Sequence, residues 1–208
     1  MDKIKISTSE RVLITGATGS GKTVLAKKFL APMDRVMVID PKHTFSLPEY
    51  KPGFSLPRFG HSFRVVVRPS RKDDSKMVDL LEKAYRQGNV TIYVDEMTTV
   101  SESFKETTDF LAEIARTGRE RKIALWSAMQ RPRWSPKIFI TESEVFFVFS
   151  LRAEEDRKYI AGFAGSQIET RIPKYQFWYQ RTDADSDPAL LTLDLEKNKI
   201  LPVGKESL

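Results

Sequence analysis

Gly16-Ala17-Thr18-Gly19-Ser20-Gly21-Lys22-Thr23 decides how this 208-residue chain is read. The stretch matches G-x-x-x-x-G-K-[ST], a loop whose backbone N–H groups cradle phosphates. A short apolar run, Arg11-Val12-Leu13-Ile14-Thr15, precedes it, and a helical pattern with Val24, Leu25, Phe29 and Leu30 follows. Strand, glycine-rich turn and helix are the context such a loop requires. The glycines let the backbone fold back on an anion, and the helix adds its positive dipole end. Candidate nucleotide contacts are therefore Gly16, Ala17, Thr18, Gly19, Ser20, Gly21, Lys22, Thr23 and Val24. Lys22 is expected to reach the outer phosphates, and the Thr23 hydroxyl to hold Mg²⁺.

A second segment completes that chemistry. Val90-Thr91-Ile92-Tyr93-Val94-Asp95-Glu96 is an apolar strand pattern ending in two acids. A phosphate-loop enzyme needs a carboxylate there to hold the Mg²⁺ shell beside the loop hydroxyl, which fits Asp95. Glu96 supplies a second carboxylate to orient and deprotonate water. A phosphotransferase must instead keep water away, so the pair favours hydrolysis. A third segment, Ile123-Ala124-Leu125-Trp126-Ser127-Ala128-Met129-Gln130, runs a strand into an amide. Ligands of such sheets lie beyond the C-terminal strand ends, so Gln130 is a candidate reporter of the terminal phosphate or the water.

Cations crowd both ends of that third strand: Arg116, Arg119, Arg121 and Lys122 before it, Arg131 and Arg133 after it. A solvated helix end accounts for Arg116. It accounts less well for Arg119 and Arg121, which lie beyond Gly118. These three precede the strand and so lie away from their own nucleotide. In a ring they would meet a neighbour's, where an arginine in trans stabilises the transition state. Arg131-Pro132-Arg133-Trp134 joins two cations to an aromatic, a composition suited to a nucleic-acid backbone. Lys42 is grouped with Arg131 and Arg133 as a candidate nucleic-acid contact.

The net charge of +6 permits a polyanionic partner. The chain has no cysteine, which excludes disulfides and thiolate metal sites, and its two histidines make a His-based metal centre improbable. No apolar run approaches the ~20 residues of a membrane span, and Met1-Asp2-Lys3-Ile4-Lys5 has no secretory character. A soluble intracellular protein is expected. Asp183, Asp185 and Asp187 hint at a calcium loop. However, Pro188 stands where the turn glycine belongs and Asp194 where a bidentate Glu is needed.

Apolar runs at 11–15, 35–40, 64–68, 90–95, 123–127 and 145–150 alternate with helical patterns. One helix carries Met77, Leu81, Ala84 and Tyr85, another Phe104, Leu111, Ile114 and Ala115, a third Tyr159, Ile160 and Phe163. The first two patterns stop at Gly88 and Gly118, each suited to a left-handed residue just past a helix. This rhythm predicts an α/β fold: a mostly parallel sheet with helices on both faces. A single domain over 1-208 is expected, with its core at about 11-165 and a C-terminal β-hairpin and tail at about 170-208. The hairpin strands are 175–181 and 190–195. The segment 41–63 reads as a long loop, a length usually tied to function.

Together these motifs resemble the FtsK–HerA superfamily of DNA-translocating P-loop ATPases. The resemblance rests on Gly16–Thr23, Val38-Ile39-Asp40-Pro41-Lys42, Val94-Asp95-Glu96, Thr117-Gly118-Arg119 and Met129-Gln130-Arg131-Pro132, in that order. It implies a RecA-like sheet of order 5-1-4-3-2 and a homo-oligomeric ring, usually a hexamer. It also implies ATP and Mg²⁺ at subunit interfaces and double-stranded DNA in the channel. Lys22, Thr23, Asp95, Glu96 and Gln130 carry over from the motifs. Among Arg116, Arg119 and Arg121, Arg119 is the expected trans finger. Ten residues precede the first core strand. A bare motor of this length resembles the genome-packaging ATPases of tailless icosahedral viruses with an internal membrane. Such a protein would act in the host cytoplasm or at the virion packaging vertex, beside capsid or membrane-vertex proteins.

Other readings are a cellular or plasmid-borne DNA pump and, of another class, a small-molecule P-loop kinase. Glu96 and the arginine cluster oppose the kinase. A guanine-specific switch lacks its motif, since Asn198-Lys199-Ile200-Leu201 has no Asp. The aromatics Phe177, Trp178 and Tyr179 are candidates for contact with a base.

Overall fold

Near-continuous apolar runs become central strands because both of their faces are covered. The computed structural model describes residues 4–57 and 61–203. Its elements run β1 (Arg11–Thr15), α1 (Lys22–Leu30), β2 (Arg35–Ile39), β3 (Lys51–Pro52), β4 (Phe63–Val67), α2 (Asp74–Gln87), β5 (Val90–Asp95) and α3 (Met97–Ser103). They continue with α4 (Lys105–Thr117), β6 (Ile123–Met129), α5 (Ile138–Thr141), β7 (Val145–Phe149), α6 (Glu154–Ala164), β8 (Gln176–Arg181), β9 (Ala189–Asp194) and β10 (Lys199–Pro202). Of the expected 1-208 domain, residues 1–3 and 204–208 lie outside the described residues, as do 58–60 of the long loop.

One sheet holds all these strands in the order β10-β9-β8-β7-β1-β6-β5-β2-β4-β3. The five core strands stand as β7-β1-β6-β5-β2, which is the expected 5-1-4-3-2, and they are parallel throughout. The edges differ from expectation. β4 adds in parallel outside β2. The expected C-terminal hairpin is formed by β8 and β9, and it extends the sheet: β8 pairs antiparallel with β7, β9 with β8, and a third strand, β10, with β9. Phe177 and Trp178 of β8 are buried in this extension.

Strand alternation divides the core. Leu13, Ile92, Val94, Leu125, Phe146 and Val148 face one layer with Met77, Leu81, Leu111, Ile114 and Ile160 of α2, α4 and α6. Val12, Ile14, Tyr93, Trp126 and Phe147 face the other, with Leu25, Ala26 and Leu30 of α1 and with Phe45 and Tyr50 of the long loop.

Two helix boundaries depart from the sequence reading. Phe104 does not begin the second helix's face. It is the buried joint (φ −137°) between α3 and α4. Gly118 is not a left-handed terminus either. It keeps φ −62°, the chain continues as a short 3₁₀ turn, and Lys122 at φ 56° makes the left-handed step. A glycine suits position 118 for space: an added Cβ would lie 3.2 Å from Ile114 and 3.3 Å from Ile123. Gly88, at φ 63°, does take the positive φ expected of it.

Candidate nucleotide site

The C-terminal ends of β1, β2, β5, β6 and β7 open on one side of the sheet, and the glycine-rich loop lies across them. Gly16 N–H donates to the Met129 carbonyl at 3.3 Å and Ala17 N–H to that of Ser150 at 2.9 Å. These bonds pin the loop to β6 and to the end of β7. Gly16, Gly19 and Gly21 take φ of 154°, 76° and 122°, all in the region that side chains disfavour. A Cβ on Gly19 would meet nothing within 4 Å, so the loop is open at that residue. α1 has no acid in its first turn, and Lys27 and Lys28 sit in its last. Its N-terminus therefore offers a dipole end with no acid in its own first turn. Lys22 Nζ donates to the Gly16 and Ala17 carbonyls at 2.7 and 3.0 Å. Burial holds its pKa down, to about 8, against the opposing pull of Glu96 and Asp95.

Opposite the loop stand the two acids. Thr23 Oγ1 donates to Asp95 Oδ1 at 3.3 Å, and the Tyr93 hydroxyl donates to the same oxygen at 2.6 Å. Burial pushes the Asp95 carboxyl above its ordinary range, and the phenol of Tyr93 well above its own. Glu96 is buried, and its backbone is left-handed (φ 100°, ψ 76°). Its Oε1 accepts the Gln130 N–H at 3.2 Å and its Oε2 the Lys42 ammonium at 3.2 Å. The Gln130 side chain accepts from Thr18 Oγ1 at 2.7 Å, which links strand end to phosphate loop. Lys42, expected on nucleic acid, thus meets Glu96 beside the phosphate loop, because the turn after β2 carries it to the end of β5.

These residues fit a nucleoside triphosphate with Mg²⁺. The open backbone cradle and the Lys22 ammonium suit polyphosphate. Thr23 and Asp95 are hard oxygen donors, which Mg²⁺ prefers alongside phosphate and water. When bound, the cation would neutralise charge on the phosphates.

The arginines before β6 stand at the opposite edge of the sheet. Arg119 pairs with Glu144 at 3.2 Å. Arg121 lies 4.6 Å over the Tyr85 ring. Arg116 is exposed and has no ion pair among the described residues. After β6, Arg131 Nε is 2.7 Å from Asp156 Oδ2, and its guanidinium stacks on Trp134 at 4.6 Å. Asp156 is buried and also accepts the Arg133 N–H at 3.3 Å. The Arg133 side chain and Trp134 face outward, with Trp134 64% exposed.

Sequence reasoning missed three participants. Tyr93 is one, although strand alternation puts it on the face of Asp95, two residues on. Lys174 and Tyr175 are the others. They line a cleft of about 230 Å³ with Gly19, Gly21, Lys22, Thr23 and Val24. Tyr175 N–H donates to the Ser20 carbonyl at 3.1 Å, and its φ is 66°. Phe177, Trp178 and Tyr179, named as candidates for contact with a base, lie in β8. Phe177 packs on Phe149 and Tyr179 on Phe147.

No protein-family model matches the chain. Over 177 residues it is 27% identical to the DNA packaging ATPase P9 of Enterobacteria phage PRD1, an alignment covering 77% of this chain and 72% of the phage protein. The chain is a homologue of that packaging ATPase. Its fold agrees with solved structures of the genome packaging NTPase B204 of Sulfolobus turreted icosahedral virus 2. The complex with AMPPCP superposes with a TM-score of 0.66 at 16% identity, over 95% of this chain and all of that one. The complex with ATP-gammaS gives 0.68 at 16% identity over 96% and 98%. EssC of Geobacillus thermodenitrificans, ATPases 2 and 3, gives 0.63 at 12% identity, over 95% of this chain and 40% of that one. The chain thus has the α/β fold of the P-loop ATPases. Among the described residues, no helix is long and apolar enough to cross a membrane.

Proposed function

We propose that this protein is a viral genome-packaging ATPase that hydrolyses ATP to drive double-stranded DNA into a capsid. The observation that carries the reading is the meeting of Thr23 with Asp95 and of Glu96 with Gln130 around one phosphate loop. Homology to the phage packaging ATPase supports the substrate and the setting. In this reading Thr23 and Asp95 hold Mg²⁺, Lys22 meets the outer phosphates, and Tyr175 with Val24 walls the base side of the cleft. Glu96 takes a proton from the attacking water. Subunits form a ring, a hexamer by the family resemblance, in which Arg119 of one protomer reaches its neighbour's nucleotide. Its pair with Glu144 is exposed and therefore weak enough to exchange. Arg133 and Trp134 face the DNA. The host cytoplasm or the packaging vertex is the place of action.

ATP hydrolysis measured with and without double-stranded DNA, alongside the mass of the assembly with ATP, tests this reading. Turnover that rises with DNA, in a species of several subunits, is expected. A monomer whose hydrolysis ignores DNA would remove the motor. Phosphate transfer to a small acceptor, with no release to water, would favour the kinase.

A further inference from the structure

We propose that Lys42 is a nucleotide-state sensor, whose ammonium is shared between Glu96 and the terminal phosphate of a nucleoside triphosphate. This rests on the ATPase reading above.

The turn that carries Lys42 is built to hold it still. Asp40 at the end of β2 is fully buried, and its carboxylate accepts the N–H groups of Thr44 at 3.1 Å and Phe45 at 2.9 Å. Arg68 Nε stands 3.5 Å from the same carboxylate. Pro41 restricts φ by its ring, and His43 closes the turn at φ 57°. Phe45 anchors the far side in the core. Between these fixed points the Lys42 side chain projects. It is 42% exposed and spans to a Glu96 side chain that is 8% exposed.

That pairing sets up a competition. Among the described residues each Glu96 oxygen has one donor, the Gln130 N–H on Oε1 and the Lys42 ammonium on Oε2. The Gln130 contact comes from backbone and is fixed. The Lys42 contact comes from a flexible, half-exposed stem, so it is the one able to exchange. Glu96 follows Asp95, whose Oδ1 meets Thr23 of the phosphate loop at 3.3 Å, and Gln130, bonded to Glu96, reaches Thr18 of that loop at 2.7 Å. The Lys42–Glu96 pair therefore stands against the loop expected to hold the phosphates. A terminal phosphate carries more charge than a carboxylate and draws the ammonium to itself, which frees Glu96 Oε2 to accept a proton from water. A diphosphate offers no such competitor, and Lys42 stays on Glu96.

The test compares affinities for a non-hydrolysable ATP analogue and for ADP. The proteins are the full chain and its Lys42→Met, Lys42→Arg, Glu96→Gln and Lys42→Met/Glu96→Gln variants, with thermal unfolding as the check on folding. Lys42→Met should lower the triphosphate-to-diphosphate affinity ratio by about tenfold or more. Lys42→Arg should restore most of it. Glu96→Gln should raise the ratio by releasing the ammonium, and that rise should vanish in the double variant. An unchanged ratio in Lys42→Met, or equal weakening of both ligands, overturns the sensor and leaves a solvated ion pair. Failure of the wild-type protein to bind either nucleotide overturns the ATPase reading instead.

Discussion

The Gln130 N–H reaches Glu96 Oε1 at 3.2 Å, so the ends of β5 and β6 meet at one carboxylate. The Gln130 side chain points elsewhere, to the Thr18 hydroxyl at 2.7 Å. Backbone and side chain of one residue thus serve two partners. Gln130→Ala keeps the grip on Glu96 and removes only the link to the phosphate loop. Hydrolysis should fall by about tenfold or more, with nucleotide affinity within about twofold of wild type, because the lost interaction matters during turnover. Steady-state turnover and equilibrium nucleotide titration separate the two. Wild-type turnover and undiminished DNA stimulation in Gln130→Ala would remove the amide from the mechanism.

Glu96 pays for its position with backbone strain. At φ 100° and ψ 76° it occupies a region in which side chains cost about 1–3 kcal/mol. Glycine and alanine at this position remove the same contacts and differ in backbone freedom. Glu96→Gly should therefore be more stable than Glu96→Ala by about 1 kcal/mol, reversing their usual order inside regular structure. Denaturant unfolding of the two variants measures the difference. Both should have lost hydrolysis, and Glu96→Gln should be slower by about 10²–10⁴-fold while still binding ATP.

Residues at strand ends were legible because one periodic pattern both builds the strand and fixes where its last residue points. Thr15, Asp95 and Gln130 end apolar runs, and all reach the same edge of the sheet. What spacing does not carry is a partner chosen through the fold. Lys42 meets Glu96 across 54 residues, and Arg131 meets Asp156 across 25. Nothing local marks either pair. The helix α3 escaped notice because only Met97 and Val100 of its seven residues are buried, too few to show a period. β10 was lost to a short, half-exposed edge, which needs the main chain of β9 more than any pattern of its own.

Arg119 and Arg121 should behave differently when mutant and wild-type subunits are mixed. Arg121 is held over Tyr85 at 4.6 Å, whereas Arg119 is tied only through an exposed pair with Glu144. Arg119→Ala subunits should lower the activity of a mixed ring more than in proportion to their share, since each also disables a neighbour. Arg121→Ala should dilute activity in proportion. Hydrolysis measured against mutant fraction distinguishes the curves, and a straight line for Arg119→Ala would hand the role to Arg116.

Tyr175 offers a separate test of the cleft. Its backbone is bonded to Ser20, and Lys174 Nζ lies 4.7 Å from the centre of its ring. With the aromatic face removed, Tyr175→Ala should weaken ATP by about five- to tenfold, in line with base–aromatic stacking. Inorganic tripolyphosphate, which has no base, should bind as before. Tyr175→Phe should retain ATP affinity. Equal loss for both ligands would show that the variant has disturbed the phosphate loop through Ser20 rather than the base side.

The two arginines after β6 should separate in the same way, stability from DNA. Arg131 is joined to the buried Asp156 and stacked on Trp134, while the Arg133 side chain is exposed and makes no ion pair among the described residues. Arg131→Ala leaves the Asp156 carboxylate short of its cation, so it should destabilise the fold by about 1–3 kcal/mol, less than for a fully buried pair because Arg131 is half exposed. Asp156→Asn should loosen the same loop and lower DNA stimulation more than basal hydrolysis. Arg133→Ala should leave the melting temperature nearly unchanged. If Arg133 neutralises a phosphate, the slope of log affinity for DNA against log salt should drop by about one, uniformly across sequences. A slope unchanged in Arg133→Ala would move the DNA path away from this loop, since Arg131 is already committed to Asp156.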